Sequence, residues 1–86
     1  MILRLGDLEF DHVVYDDHAD VLYLSVGKPR QPARQEATPD GHLARYDEEG
    51  RVIGLTVVNA KWLIERDGVI EVPIRVTAEE LAPALA

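Results

Sequence analysis

Turn-forming residues punctuate this chain at short and regular intervals. They stand at Gly6-Asp7, Asp16 to Asp20, Gly27 to Pro32, Pro39-Asp40-Gly41, Asp47 to Gly50 and Asp67-Gly68. Short apolar runs lie between them. Parallel strands need a crossover of a dozen residues or more, and this spacing leaves no room for one. The pattern predicts antiparallel strands joined by tight turns, with a fold class of α+β: mostly an antiparallel β meander of five or six strands, plus a short C-terminal helix.

The strands follow from alternation and composition. Leu8 to Tyr15 reads as one strand, with Leu8, Phe10, His12 and Val14 on one face. On that face His12 is expected to be a partly buried structural histidine. Leu3 and Leu5 suit a short earlier strand. Val21 to Val26 is rich in β-branched and aromatic residues. Ala33 to Thr38 is polar and suits an edge. Leu43 to Tyr46 precedes the turn Asp47-Glu48-Glu49-Gly50, and Arg51 to Asn59 is the strongest strand. Val69 to Val76 alternates, with Ile70, Val72, Ile74 and Val76 inward. Pro73 has no amide hydrogen to give, which predicts an edge or a bulge there. Ala60 to Arg66 fits either a helical turn or continued strand.

Thr77-Ala78-Glu79-Glu80 forms a capping box. The Thr77 hydroxyl can accept from a first-turn amide and Glu80 can reach back to the cap. Pro83 predicts that the helix is short or ends early.

Two strands, Val21 to Val26 and Val52 to Val58, are apolar on both faces. A sheet with one face in water would alternate instead. Both faces therefore need cover, by the C-terminal helix on one side and by something else on the other. Eighty-six residues make one domain, residues 1–86, with little chain to spare. The second cover is expected to be another copy, which makes the protein a homodimer.

Charge limits the partners. Sixteen acidic residues face nine basic ones, for a formal charge of −7. Such a surface repels phosphate backbones and disfavours direct nucleic-acid binding. It suits a basic protein partner. No apolar run approaches the roughly 18–20 residues that span a bilayer, and Met1 to Leu5 is too short for a signal peptide. Membrane insertion is not expected, and a cytoplasmic location is. No cysteine is present, so disulfides and thiolate metal sites are excluded.

Chemistry-bearing residues are few. Asp16, Asp17, His18 and Asp20 put three carboxylates and an imidazole within five residues, enough to offer ligands to a hard divalent cation. The same residues also suit a β-turn, because an Asp side chain bonds backbone two residues on. Asp47 to Arg51 is an acidic loop without the ligand spacing of an EF-hand. Ser25, Thr38, Thr56 and Thr77 are the hydroxyl candidates, and none lies in a nucleophile elbow or phosphate loop. No cofactor is implied.

Two stretches form a recognisable pair. Tyr15-Asp16-Asp17-His18-Ala19-Asp20-Val21-Leu22-Tyr23-Leu24 has the form Tyr-Asp-x-x-Ala-Asp-x-Leu-Tyr-hydrophobic. Tyr46-Asp47-Glu48-Glu49-Gly50-Arg51-Val52-Ile53-Gly54-Leu55 follows as Tyr-Asp-x-x-Gly-Arg-hydrophobic-hydrophobic-Gly-hydrophobic. Together they resemble a family of short prokaryotic proteins, domain of unknown function 2283, over roughly Phe10 to Ala60. The resemblance implies a small β-rich domain and no particular activity. It also suggests an antitoxin-like role by association. In the motifs, Asp16 and Asp20 should bracket a hairpin turn, Gly50 should supply a positive φ, and Gly54 should mark a bulge or a close approach.

Three functions follow as alternatives. One is a non-enzymatic protein-binding module with an acidic face. A second is a small metal-dependent enzyme using Asp16, Asp17, His18 and Asp20. A third is a ligand sensor with Trp62, Tyr23 or Tyr46 lining a pocket.

Overall fold

Hydrogen-bonded strand pairs set the architecture, and all of them are antiparallel. A computed structural model describes residues 1–28, 30–72 and 74–85. Its elements, in order, are β1 (Leu3–Leu5), β2 (Leu8–Phe10), β3 (His12–Asp16), β4 (Val21–Ser25), β5 (Arg34–Ala37), β6 (Leu43–Tyr46) and β7 (Val52–Val58). These are followed by α1 (Ala60–Asp67), β8 (Val69–Val72), β9 (Ile74–Thr77) and α2 (Ala78–Leu85). The α+β class holds, with antiparallel strands and a C-terminal helix. The main sheet runs β3-β4-β7-β6-β5, so β5, β6 and β7 form a meander and the β3-β4 hairpin joins beside β7. β1-β2 and β8-β9 are separate two-stranded ribbons.

Two expected strands are broken. Leu8 to Tyr15 divides at Asp11, where the chain leaves one sheet for the other. The Asp11 carboxylate accepts the Gly27 amide at 2.8 Å, which ties the break to the end of β4. The break reverses the facing of everything after it. Phe10 is fully buried, while Val14 is 60% exposed. His12 is exposed on the same side as Val14, not partly buried beside Phe10. Val69 to Val76 divides likewise into β8 and β9, which pair with each other through Ile70↔Val76 and Glu71↔Arg75. Folding the run back on itself still sends Ile70, Val72 and Val76 into the core. Pro73 lies outside the described residues.

The core has one centre. Leu22 and Leu24 of β4, Leu55 and Val57 of β7, and Ala44 and Tyr46 of β6 form the inner face of the main sheet. Against them pack Leu3, Leu5 and Phe10 of the first ribbon, Ile70, Val72 and Val76 of the second, Leu63 of α1, and Leu81 and Ala84 of α2. Leu22, Leu24 and Leu55 are 0–1% exposed. Full burial of such a side chain contributes about 1.5–3 kcal/mol.

Helix α2 starts as its sequence requires. Glu80 accepts the Thr77 amide at 3.0 Å, and the Thr77 hydroxyl accepts the Glu80 amide at 3.3 Å. The second Glu80 oxygen accepts the Gly6 amide, pinning the helix to the first ribbon. The helix is short, as expected, yet it continues past Pro83 to Leu85. Proline removes one amide donor, and so near the end of a helix that loss breaks little. No helix among the described residues is long and apolar enough to cross a membrane.

Candidate functional site

Three places on the molecule hold the residues that the sequence singles out: the Asp16–Asp20 turn, the Asp47–Arg51 turn and the outer face of the main sheet.

The first turn joins β3 to β4. The Asp16 carboxylate accepts the amides of His18 and Ala19, at 3.1 and 3.2 Å, and closes the turn. Asp20 has a left-handed φ of 57°, a region that Asp tolerates better than most residues. Its carboxylate turns away from Asp16 and caps α1. Lys61 N donates to one oxygen at 2.8 Å and Trp62 N to the other at 3.1 Å. The Asp20 carbonyl takes the Ala60 amide as well. Three orphan donors of the α1 N-terminus are thus satisfied by one residue. The Tyr15 hydroxyl donates to Asp20 at 2.7 Å. That bond, with burial and the Asp20 charge, pushes the Tyr15 phenol up to about 12. Burial would raise the Asp20 carboxyl, but the Lys61 amide, the Tyr15 hydroxyl and the Trp62 amide outweigh it and hold it low.

Asp16 and Asp20 therefore serve backbone, while Asp17 and His18 point to solvent, 80% and 98% exposed. Among the described residues, no group of three or more His, Asp or Glu side chains is arranged to hold a metal ion. Shallow clefts beside this turn are lined by Tyr15, Asp17, Lys61 and Trp62. Of the aromatics offered as alternatives for lining a pocket, Trp62 lies there on α1, Tyr46 is buried in the core, and Tyr23 stands on the outer face of the sheet.

The second turn joins β6 to β7. Asp47 Oδ1 accepts the amides of Glu49 and Arg51, both at 2.9 Å, and Oδ2 takes Arg51 Nε at 3.0 Å. These bonds, led by the Arg51 amide, hold the Asp47 carboxyl below the usual range. Asp47 also lies 3.6 Å from Arg30. Gly50 has a φ of 80°, as its motif position requires. Gly54 marks a close approach. A Cβ there would sit 2.5 Å from Arg45 Nη2 and 2.6 Å from Nε, so only glycine lets that guanidinium lie against β7. The register between β6 and β7 also shifts between Arg45 and Tyr46.

The outer face is defined by register. Directly opposed residues share a face, and Val14↔Tyr23, Tyr23↔Thr56, Thr56↔Leu43 and Leu43↔Ala37 run in one row across all five strands. Val14 is 60% and Tyr23 44% exposed, and Thr56 and Leu43 are half-buried. Among the described residues, the helices and ribbons pack on the opposite face, against Leu22, Leu24, Leu55 and Val57. Ser25 and Arg45 occupy the neighbouring row, and Asp16 the row on the other side.

His42 lies outside the sequence motifs. It is fully buried, and its Nδ1 accepts the Val58 amide at 3.0 Å. The ring proton must then sit on Nε2, which has no partner among the described residues. Burial lowers its pKa. The alternation His42, Ala44, Tyr46 carried the signal that this side chain points inward.

The fold and both motif turns define a small antiparallel β-rich domain whose two signature loops are built to hold backbone. Residues 12–61 match the family described as Protein of unknown function (DUF2283), and the chain belongs to it. No curated protein and no solved structure matches the chain.

Proposed function

We propose that the protein is a non-enzymatic protein-binding module that pairs with a second copy of itself through the outer face of its main sheet. The observation that carries this reading is the uncovered row Val14, Tyr23, Thr56, Leu43 and Ala37, on a sheet whose other face is buried under the rest of the chain. Contiguous exposed apolar surface marks an interaction site.

Charge favours a like partner on that face. The chain carries −7, so two copies repel each other through most surfaces. The positions that register places on the outer face include one acidic residue, Asp16, and one basic residue, Arg45. Stacking two such faces buries apolar side chains and brings no excess of like charge together. The non-enzymatic part of the reading is supported by the motif turns, where Asp16, Asp20 and Asp47 are engaged with backbone amides. Beyond the paired faces, the acidic surface suits a basic protein, in the manner of an antitoxin.

Light scattering at micromolar concentration tests the pairing. Tyr23→Glu places a charge at the centre of the row and is expected to halve the mass. A mass identical for wild type and variant would remove the reading.

A further inference from the structure

At one end of the outer face, a cavity of about 150 Å3 is lined by Ser25, Val26, Lys28, Arg30, Arg45 and Ile53. Three of those six residues are cationic, in a chain with only nine basic residues and a charge of −7. Gathering like charges around one hollow is unfavourable unless an anion neutralises them.

Two of the three cations lie against motif residues. Gly54 leaves room for the Arg45 guanidinium, since any Cβ there would strike it. Asp47, its own carboxylate already fixed by three N–H donors, ion-pairs with Arg30 at 3.6 Å. Among the described residues, neither Lys28 nor Arg45 ion-pairs with a carboxylate. The cavity therefore carries about two uncompensated positive charges. Val26 and Ile53 supply an apolar wall. Ile53 is buried yet lies outside the main core cluster, so its side chain serves this hollow.

We propose that Ser25, Lys28, Arg30 and Arg45 form a binding site for a small phosphate monoester. A phosphate monoester carries about −1.5 to −2 charge at neutral pH, which matches the two free cations. The planar Arg45 fork suits two phosphate oxygens at once. The Ser25 hydroxyl stands ready as a further donor, and Val26 with Ile53 receives the ester's carbon chain. With about 150 Å3 of space, the cavity suits a small group.

The test is a nuclear magnetic resonance titration of the whole protein at constant ionic strength. The probes are inorganic phosphate, n-butyl phosphate, n-butyrate and chloride. Saturable shifts are expected at the amides of Ser25, Val26, Arg45 and Ile53. Butyl phosphate should bind about tenfold tighter than inorganic phosphate, through one or two buried methylenes. Butyrate should bind more weakly than butyl phosphate. Arg45→Gln should weaken butyl phosphate about tenfold or more. Arg66→Gln, which removes the same charge far from the cavity on α1, should leave it unchanged. Gly54→Ala keeps every charge but displaces the Arg45 guanidinium, and should also weaken binding. Should Gly54→Ala fail to fold, the Arg45→Gln and Arg66→Gln pair decides alone. Equal losses in that pair, shifts that chloride reproduces, or no saturable shift at all would each overturn the site.

Discussion

Removing the Asp20 carboxylate should loosen a helix that begins some forty residues downstream in the sequence. Asp20 accepts the Lys61 and Trp62 amides and the Tyr15 hydroxyl. Loss of an N-terminal cap costs about 1 kcal/mol. A lost hydrogen bond from Tyr15 adds about 1 kcal/mol. Asp20→Ala also forces alanine into the left-handed region at φ 57°, for about 1 kcal/mol more. The alanine variant should therefore lose about 3 kcal/mol. Asp20→Asn keeps one acceptor oxygen and tolerates the same φ, and should lose about 1 kcal/mol. For a domain of this size, each kcal/mol moves Tm by about 4–8 °C. Urea unfolding followed by Trp62 fluorescence reads both losses, because the indole sits in the first turn of the capped helix. A second readout isolates the Tyr15 contact. In Asp20→Asn, the Tyr15 phenol should titrate well below about 12, back towards 10.0. An alanine variant within about 0.5 kcal/mol of wild type, as for an ordinary surface change, would refute the capping role.

Other outcomes follow from the same contacts. His42 is neutral when folded and its pKa is lowered by burial, so the unfolded chain takes up the proton first. Its contribution to stability is present above the unfolded value near 6.5 and is lost as pH falls towards the depressed folded value. Chemical denaturation across that window should show the folding constant dropping by up to about tenfold per pH unit, and His42→Gln should flatten the drop. Gly50→Ala should lower stability by about 1–2 kcal/mol, because φ is 80° there and no neighbour obstructs a Cβ; calorimetry measures it. Leu55→Ala empties the centre of the sheet and should cost about 2–5 kcal/mol by urea unfolding.

Much of this fold is legible in the sequence, because most of its signals are local. Leu43 to Tyr46, the polar edge strand and the Thr77 capping box all lie where spacing and residue type put them. What escapes sequence reading is carried by contacts between distant residues. Helix α1 looks undecided between helix and strand because its start carries no cap of its own. Asn59 makes no side-chain cap bond, and the cap comes from Asp20. The strand from Leu8 to Tyr15 looks continuous because Asp11, unlike glycine or proline, does not announce a break. Its carboxylate bonds Gly27, sixteen residues on. The cavity is equally hidden: Arg45 stands on β6 while Lys28 and Arg30 follow β4, and the β4-β7-β6 register together with the Arg30–Asp47 ion pair brings them to one hollow.

Isotope-filtered nuclear Overhauser spectroscopy on mixed labelled and unlabelled protein reads the outer face directly. Cross-peaks between copies should connect the Tyr23 ring with the Val14 and Leu43 methyl groups. A spectrum that shows those three side chains contacting only their own chain, in protein that sediments at its single-chain mass of 9.6 kDa, would contradict the face-to-face pairing.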